Sequence, residues 1–170
     1  VVAGAPDDLP ALQGLAKGLR GLGKPKELVK ALEHELELTH DDARKIELSL
    51  EAATLRETLA DAEKSADGKR ALLELALAHS LRASELAPEN TDPVAVYARV
   101  AEKLGRWKEL ADATCRMARS IDDTKRCSWM LRRAAKLRSL RLGDTQGAAE
   151  AYLEAVRVDA SDKETWAALE

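Results

Sequence analysis

Aromatic residues are scarce in this sequence, which contains three Trp, two Tyr and no Phe. A folded core must therefore come from Leu, Ala and Val, which pack well between closely spaced helices. No apolar stretch approaches the roughly 18 residues that a membrane span needs. The chain has 170 residues, 45% of them hydrophobic and 34% charged, which is typical of a globular protein. The length fits one domain or one run of repeats.

Basic charge and cysteine are also limited. A net charge of −3 argues against general nucleic-acid binding, because a phosphate backbone is bound by a basic surface. Two cysteines, Cys115 and Cys127, are too few for a disulfide framework and favour a reducing, cytoplasmic compartment. They lie on consecutive predicted helices near Asp122 and could approach each other. We favour the interpretation that they are simply two small, semi-buried residues. The sequence begins at Val1 without a signal segment, which we interpret as a fragment of a longer protein.

Helix signals dominate what is present. Apolar residues recur at helical spacing, no sustained two-residue alternation indicates strands, and Pro and Gly fall mostly between the periodic segments. The spacing predicts nine helices, of about 13 to 20 residues apart from the last. Their predicted limits are Asp8–Arg20, a second helix from Pro25, a third capped by Asp41 and Asp42, a fourth from Asp67-Gly68 to Ala87, a fifth opened by Thr91 and ended by Gly105, Trp107–Ser120, a seventh from Asp123 to Gly143, an eighth from Asp144 to Val158, and a ninth opened by the capping box Ser161-x-x-Glu164.

The sequence also repeats itself at an offset of about 82 residues. The segment from Leu22 to Leu28, LGKPKEL, aligns with the segment from Leu104 to Leu110, LGRWKEL. The match continues over three predicted helices, so the smaller repeating unit should be a helix pair of about 34 to 41 residues.

These helix pairs resemble the tetratricopeptide repeat. The second helix of that family is best matched by Ala148-x-x-x-Tyr152-x-x-Ala155 after Gly143-Asp144. The first helix is best matched by Trp166-x-x-Leu169 and by Val94-x-x-Tyr97-Ala98-x-x-Ala101. Between Asp42 and Gly68 the pattern departs from the family, with no glycine turn and one helix of unusual length. The Ala/Arg/Leu-rich composition is similar to that of large bacterial repeat proteins.

The resemblance implies a single all-α domain over residues 1–170, a right-handed α-solenoid of antiparallel helix pairs. Its units should span about residues 7–40, 41–88, 91–121 and 122–160, with a half unit at 161–170. One pair cannot bury its own apolar face, and stacking buries it against the neighbouring pairs. Small residues should let the helices approach closely: Ala16, Ala53, Ala98, Ala135, Ala148 and Ala155. An ordinary helical bundle is the alternative.

No catalytic constellation is evident. The three histidines, His34, His40 and His79, lack the spacing of helical metal ligands, and His34 should lie on an exposed helix face. There is no nucleophile elbow and no phosphate-binding loop. We therefore expect neither an enzyme nor a cofactor or metal.

In the tetratricopeptide family the first helix of each pair lines a concave groove that binds a partner protein or peptide. This resemblance implies a groove that is basic at both ends, with an acidic interruption from Glu47 and Glu57. The residues that it places in the groove as partner contacts are Gln13, Lys17, Arg20, Arg99, Lys103, Arg132 and Lys136. A basic groove favours an acidic partner segment.

Three alternatives remain at this stage. The chain could be a spacer or could self-associate, with its terminal half repeat stacking on a further unit. It could bind nucleic acid through the basic seventh helix, although the net charge opposes this.

The three tryptophans are expected to differ in environment. Trp107 and Trp166 fit packing positions of the family, whereas Trp129 fits none and could lie at a surface that contacts a partner.

Overall fold

The computed structural model describes residues 8–168, and all regular secondary structure in that range is helical. The predicted all-α fold class is therefore confirmed. The helices are α1 (Leu9–Gly21), α2 (Pro25–Leu38), α3 (Asp42–Ala62), α4 (Ala66–Leu86), α5 (Thr91–Leu104), α6 (Trp107–Ala118), α7 (Thr124–Leu137), which continues into a π-helical turn (Arg138–Leu142), α8 (Thr145–Val158) and α9 (Lys163–Ala167). The parts of the predicted repeats that fall on residues 1–7 and 169–170 lie outside the described range.

The helices form two compact units, one reaching to Val100 and the other starting at Ala101. In the first unit α1 packs on α2, α2 on α3 and α3 on α4. In the second unit α6 packs on α7, α7 on α8 and α8 on α9. Connections of only a few residues make the neighbouring helices antiparallel. The predicted order of closely connected, antiparallel helices is confirmed within each unit, while the repeat boundaries and the superhelical hand stay predictions.

Glycine closes the turn inside three of the four pairs. Gly23, Gly105 and Gly143 have φ angles of 62°, 68° and 65°, a left-handed conformation that a residue with a Cβ atom adopts only at a cost. The two turns aligned by the sequence repeat close in the same way. The amide of Lys24 donates to the carbonyl of Leu19, and that of Arg106 to the carbonyl of Ala101. The internal repeat is thus also a repeat of backbone geometry.

The α3–α4 pair differs from the others, as its sequence indicated. Both helices have 21 residues, whereas a single long helix was expected. The predicted start of α4 at Asp67-Gly68 is wrong. Its N-cap is Ser65, whose hydroxyl accepts a hydrogen bond from the amide of Gly68. A serine in this position satisfies an amide that the helix itself leaves without a partner, so the helix can begin earlier.

Small residues line the contacts between helices. All six alanines expected to allow close approach are buried: Ala16, Ala53, Ala98, Ala135, Ala148 and Ala155. Larger apolar side chains fill the space that remains, with Leu32 and Leu48 fully enclosed in the first unit and Leu131 in the second. Each unit therefore has the aromatic-poor core that the composition indicated.

The ninth helix begins differently from the prediction. Its N-cap is Asp162 rather than Ser161, and the Asp162 carboxylate accepts from the amides of Glu164 and Thr165. The Ser161 hydroxyl instead donates to Asp159. The predicted capping box is therefore wrong by one residue, because two neighbouring residues can both act as caps and the carboxylate reaches more donors.

No helix among the described residues is long and apolar enough to cross a bilayer.

Candidate functional site

In each unit by itself, the exposed sides of the first helices of the pairs are here called the first-helix face; they belong to α1, α3 and α5 up to Val100 in the first unit and to α7 in the second. In the first unit this face begins with an exposed stripe on α1. Gln13, Lys17 and Arg20 recur on it at helical spacing. Arg20 forms a bidentate ion pair with Glu51 of α3, with nitrogen-to-oxygen distances of 2.9 and 2.8 Å. Lys17, by contrast, has no carboxylate within 4 Å among residues 8–168.

Gln13 forms a hydrogen bond with a buried carboxylate, that of Glu35. Its side-chain amide donates to Glu35 at 3.2 Å, and Arg44 donates to the same oxygen at 2.9 Å. Glu35 is fully buried on α2, so its carboxylate is desolvated and depends on these donors. Gln13 therefore contributes to the stability of the α1–α2–α3 contact as well as to the surface.

Arg99 is likewise committed to a neighbouring helix. Its guanidinium forms a bidentate pair with Glu57 of α3 at 2.8 and 2.6 Å. Hydrogen bonding to Glu57 raises the pKa of Arg99, although its partial burial acts in the opposite direction. Glu57 of the predicted acidic interruption and Arg99 of the predicted basic residues thus form one ion pair with each other.

In the second unit the first-helix face centres on α7. One stripe of this helix carries the exposed residues Lys125, Trp129 and Lys136, with the partly buried Arg132 between them. Trp129 is 47% exposed, and the guanidinium of Arg133 lies 5.8 Å from the centroid of its ring. Such a cation–π contact covers part of the indole and restrains its orientation. The surface position considered for Trp129 is confirmed.

Arg132 joins α7 to the start of α9. It donates to Asp162 at 2.9 Å and lies 2.8 Å from a carboxylate oxygen of Glu164. Asp162 also accepts from the hydroxyls of Ser128 and Thr165. Burial acts to raise the pKa of Asp162, but the hydrogen bonds from Thr165 and the charge of Arg132 outweigh it, so that this pKa lies below its usual value.

An open cleft of about 450 Å³ lies beside Trp129, between α7 and the α8–α9 connection. Its walls consist of one aromatic side chain surrounded by charged and polar groups. They are Lys125, Trp129, Arg132, Asp159, Ser161, Asp162, Lys163 and Glu164. Among the residues that the structure describes, no carboxylate comes within 4 Å of the ammonium groups of Lys125 or Lys136.

The predicted site residues therefore separate into two groups. Arg20, Arg99 and Arg132 bridge successive helices through ion pairs, and Gln13 reaches a buried carboxylate. Lys17, Lys103 and Lys136 are exposed, with Lys103 in the last turn of α5. Their contact with a partner stays a prediction. Sequence reasoning missed Glu51 and Asp162 as partners of the arginines, since neither carries a local signal of a contact some 30 residues away.

The other two tryptophans occupy different environments. Trp107 is partly buried, with the guanidinium of Arg141 4.6 Å from the centroid of its ring. Trp166 is 50% exposed, and its indole nitrogen donates to the carbonyl of Ala160 at 3.0 Å. The expectation that both are packing residues describes Trp107 better than Trp166.

The cysteine and histidine side chains, which are the most reactive types in the chain, were also located in the structure. Cys115 and Cys127 are buried free thiols, and burial raises the pKa of both. His79 lies 2.8 Å from Glu33, which also accepts from Arg56. The prediction that His34 lies on an exposed face is wrong, because it is partly buried on α2. No group of three potential metal ligands comes together within residues 8–168.

Comparison of the chain with solved structures finds similar folds. No family model and no curated protein sequence matches the chain. The chain is similar to the crystal structure of a thermophilic TPR protein from Thermus thermophilus. The similarity has a TM-score of 0.45 at 21% sequence identity and covers 96% of this chain and 80% of that one.

Proposed function

We propose that this chain is a non-catalytic scaffold that binds a segment of a partner protein on its first-helix face. The observation that carries the proposal is Trp129, a large aromatic side chain left about half exposed on a first helix. Tryptophan and arginine are the residues most enriched among the energetic centres of protein interfaces. Trp129 also lines a cleft with room for a side chain of a partner.

The two lysines on the stripe of Trp129 favour an acidic partner segment. Lys125 lies one turn before Trp129 and Lys136 two turns after it, on the same stripe of α7. Neither lysine is neutralised by a carboxylate within 4 Å in the described part of the chain. A segment with one apolar side chain between Asp or Glu residues would insert that side chain beside Trp129 and pair its carboxylates with the lysines.

The experiment is a selection from a random peptide library displayed on phage, with the purified chain as bait. We expect the selected peptides to be rich in Asp and Glu around one apolar residue. Trp129→Ala should abolish their capture, and Lys125→Glu/Lys136→Glu should weaken it. Trp166→Ala is the matched control, since Trp166 has a similar exposure in the same unit. Selected peptides without acidic enrichment, or equal capture by Trp129→Ala, would refute the proposal.

A second candidate is self-association through α9. The observation in its favour is Trp166, an indole that is half exposed on a helix of five residues. If α9 stacks on a second copy, the mass of the purified chain measured by sedimentation should rise with concentration, and Trp166→Ala should suppress the rise. A constant monomer mass across concentrations would exclude this candidate and leave partner binding unaffected.

A further inference from the structure

The first unit contains a pocket that includes none of the residues proposed as partner contacts. It has a volume of about 430 Å³ and lies among the start of α2, the end of α3 and the start of α4. Its apolar wall consists of Val29, Leu59, Ala62 and Leu72. Val29 is buried, and Leu59 and Leu72 are partly buried, so this wall belongs to a packed region of the unit. The volume falls within the range of small-molecule sites.

Gly68 lines the pocket beside Glu63. It lies in the first turn of α4, and a Cβ atom at this position would stand 3.1 Å from the Cγ atom of Glu63. A larger residue would therefore push the Glu63 side chain or fill the space in front of it. Glu63 is itself fixed, because its carboxylate accepts from the amides of Lys64 and Ser65 at 2.9 and 3.0 Å.

The charged residues at the rim of the pocket differ in whether they have an ion-pair partner. Arg56 is committed to Glu33 through its guanidinium, and the backbone hydrogen bonds of Glu63 lower the pKa of that carboxyl. Lys26 and Lys30 remain, one turn apart on α2 and both exposed. Within residues 8–168 no carboxylate lies within 4 Å of either ammonium group. The rim thus presents two lysine cations and the Glu63 carboxylate above an apolar wall, and the charge of Lys26 acts on that carboxylate.

We propose that this pocket binds a small anionic amphiphile, an apolar chain that ends in a carboxylate or a similar anion. The apolar chain would contact Leu59, Ala62 and Leu72, which removes water from both surfaces. The anionic end would lie between Lys26 and Lys30, where charge-assisted hydrogen bonds favour it over a neutral or cationic end. The proposal does not depend on the proposed function, because the pocket contains none of the residues proposed to contact a partner.

The test compares decanoate with decylammonium, two probes with the same apolar chain and opposite charge, by isothermal titration below their micellar concentrations. We expect saturable binding of one decanoate per chain and binding of decylammonium that is weaker by about tenfold or more. Equal binding of both probes, or no saturable decanoate binding up to about 1 mM, would overturn the proposal.

Two variants at the pocket and one control variant locate the binding. Lys26→Glu/Lys30→Glu should weaken decanoate binding by about tenfold, because two favourable surface charge pairs become unfavourable. Lys17→Glu/Lys136→Glu changes the net charge equally on the first-helix face and should leave the affinity unchanged. Ala62→Trp fills the pocket from an exposed helix end and should abolish binding while the far-UV circular dichroism stays that of the wild type. Unchanged decanoate binding in Ala62→Trp would refute the pocket as the site.

Discussion

Two glycines of the same helix pair should respond to alanine substitution with opposite signs. Gly23 closes the α1–α2 turn at a φ of 62°, and nothing lies within 4 Å of the Cβ atom that Gly23→Ala would add. Steric contact therefore does not contribute, and the cost is that of the left-handed backbone conformation, about 1–2 kcal/mol for an L-residue. The reduced freedom of the unfolded chain returns about 0.4–1 kcal/mol. The net expectation is a loss of about 0.5–1 kcal/mol.

Gly18 is the matched control, five residues earlier in the interior of α1. Its added Cβ atom also meets nothing within 4 Å, and its φ lies in the ordinary helical region. Gly18→Ala should therefore stabilise the first unit by about 0.5–1 kcal/mol. The two variants should differ by about 1–2 kcal/mol in the free energy of unfolding, measured by urea titration followed by far-UV circular dichroism. Changes of the same sign would refute the left-handed turn at Gly23.

Other consequences concern the charged network and the thiols. Asp162→Ala should destabilise the second unit by about 1–3 kcal/mol in thermal unfolding, since it removes an N-cap and the partner of Arg132, whereas the neighbouring Ser161→Ala should cost far less. The hydrogen bond from Arg119 and the charge of that guanidinium lower the pKa of Glu154 on α8. The pKa of Asp162 is lowered, against the effect of its burial, by the hydrogen bonds from Thr165 and the charge of Arg132. Their contribution is therefore complete above the unfolded-state pKa and is lost as pH falls through the folded-state values, so acid titration should destabilise the wild type more steeply than Asp162→Asn. Cys115 and Cys127 should react with a thiol reagent only after denaturation, and rapid reaction in the native state would contradict their burial.

The helices and their turns could be predicted from the sequence because their signals are local. A glycine followed by a polar residue after an apolar helical stripe indicates a left-handed C-terminal cap, and Gly23, Gly105 and Gly143 all have that conformation. Pro25 similarly stands in the first turn of α2, where its missing amide costs nothing. Short-range rules of this kind depend only on residues within one or two turns.

Choices between adjacent capping residues were harder to predict. At α4 the sequence offers Ser65 and Asp67, and at α9 it offers Ser161 and Asp162. Each of these residues can cap a helix, so the outcome depends on small differences in how many amides the side chain reaches. Asp162 accepts from two amides and also holds Arg132, a tertiary contact that no local rule includes.

The character of the candidate site depended on contacts that are distant in sequence. The charges of the chain could be counted from the sequence. The ion pairs of Arg20 with Glu51 and of Arg99 with Glu57 could not be predicted, because the residues of each pair are more than 30 positions apart. These pairs neutralise much of the basic face that the resemblance implied. Trp129 was evident from the sequence as a residue outside the packing pattern. Its position on one stripe with Lys125 and Lys136 then needed only helical periodicity.

The most direct test of the account is the dissociation constant of one selected acidic peptide for three forms of the chain. The wild type and Trp166→Ala should bind the peptide equally. Trp129→Ala should bind it at least about thirtyfold more weakly, which corresponds to about 2 kcal/mol, the usual cost of removing an aromatic residue from the centre of an interface. Equal dissociation constants for Trp129→Ala and the wild type would show that the first-helix face of the second unit is not the binding surface.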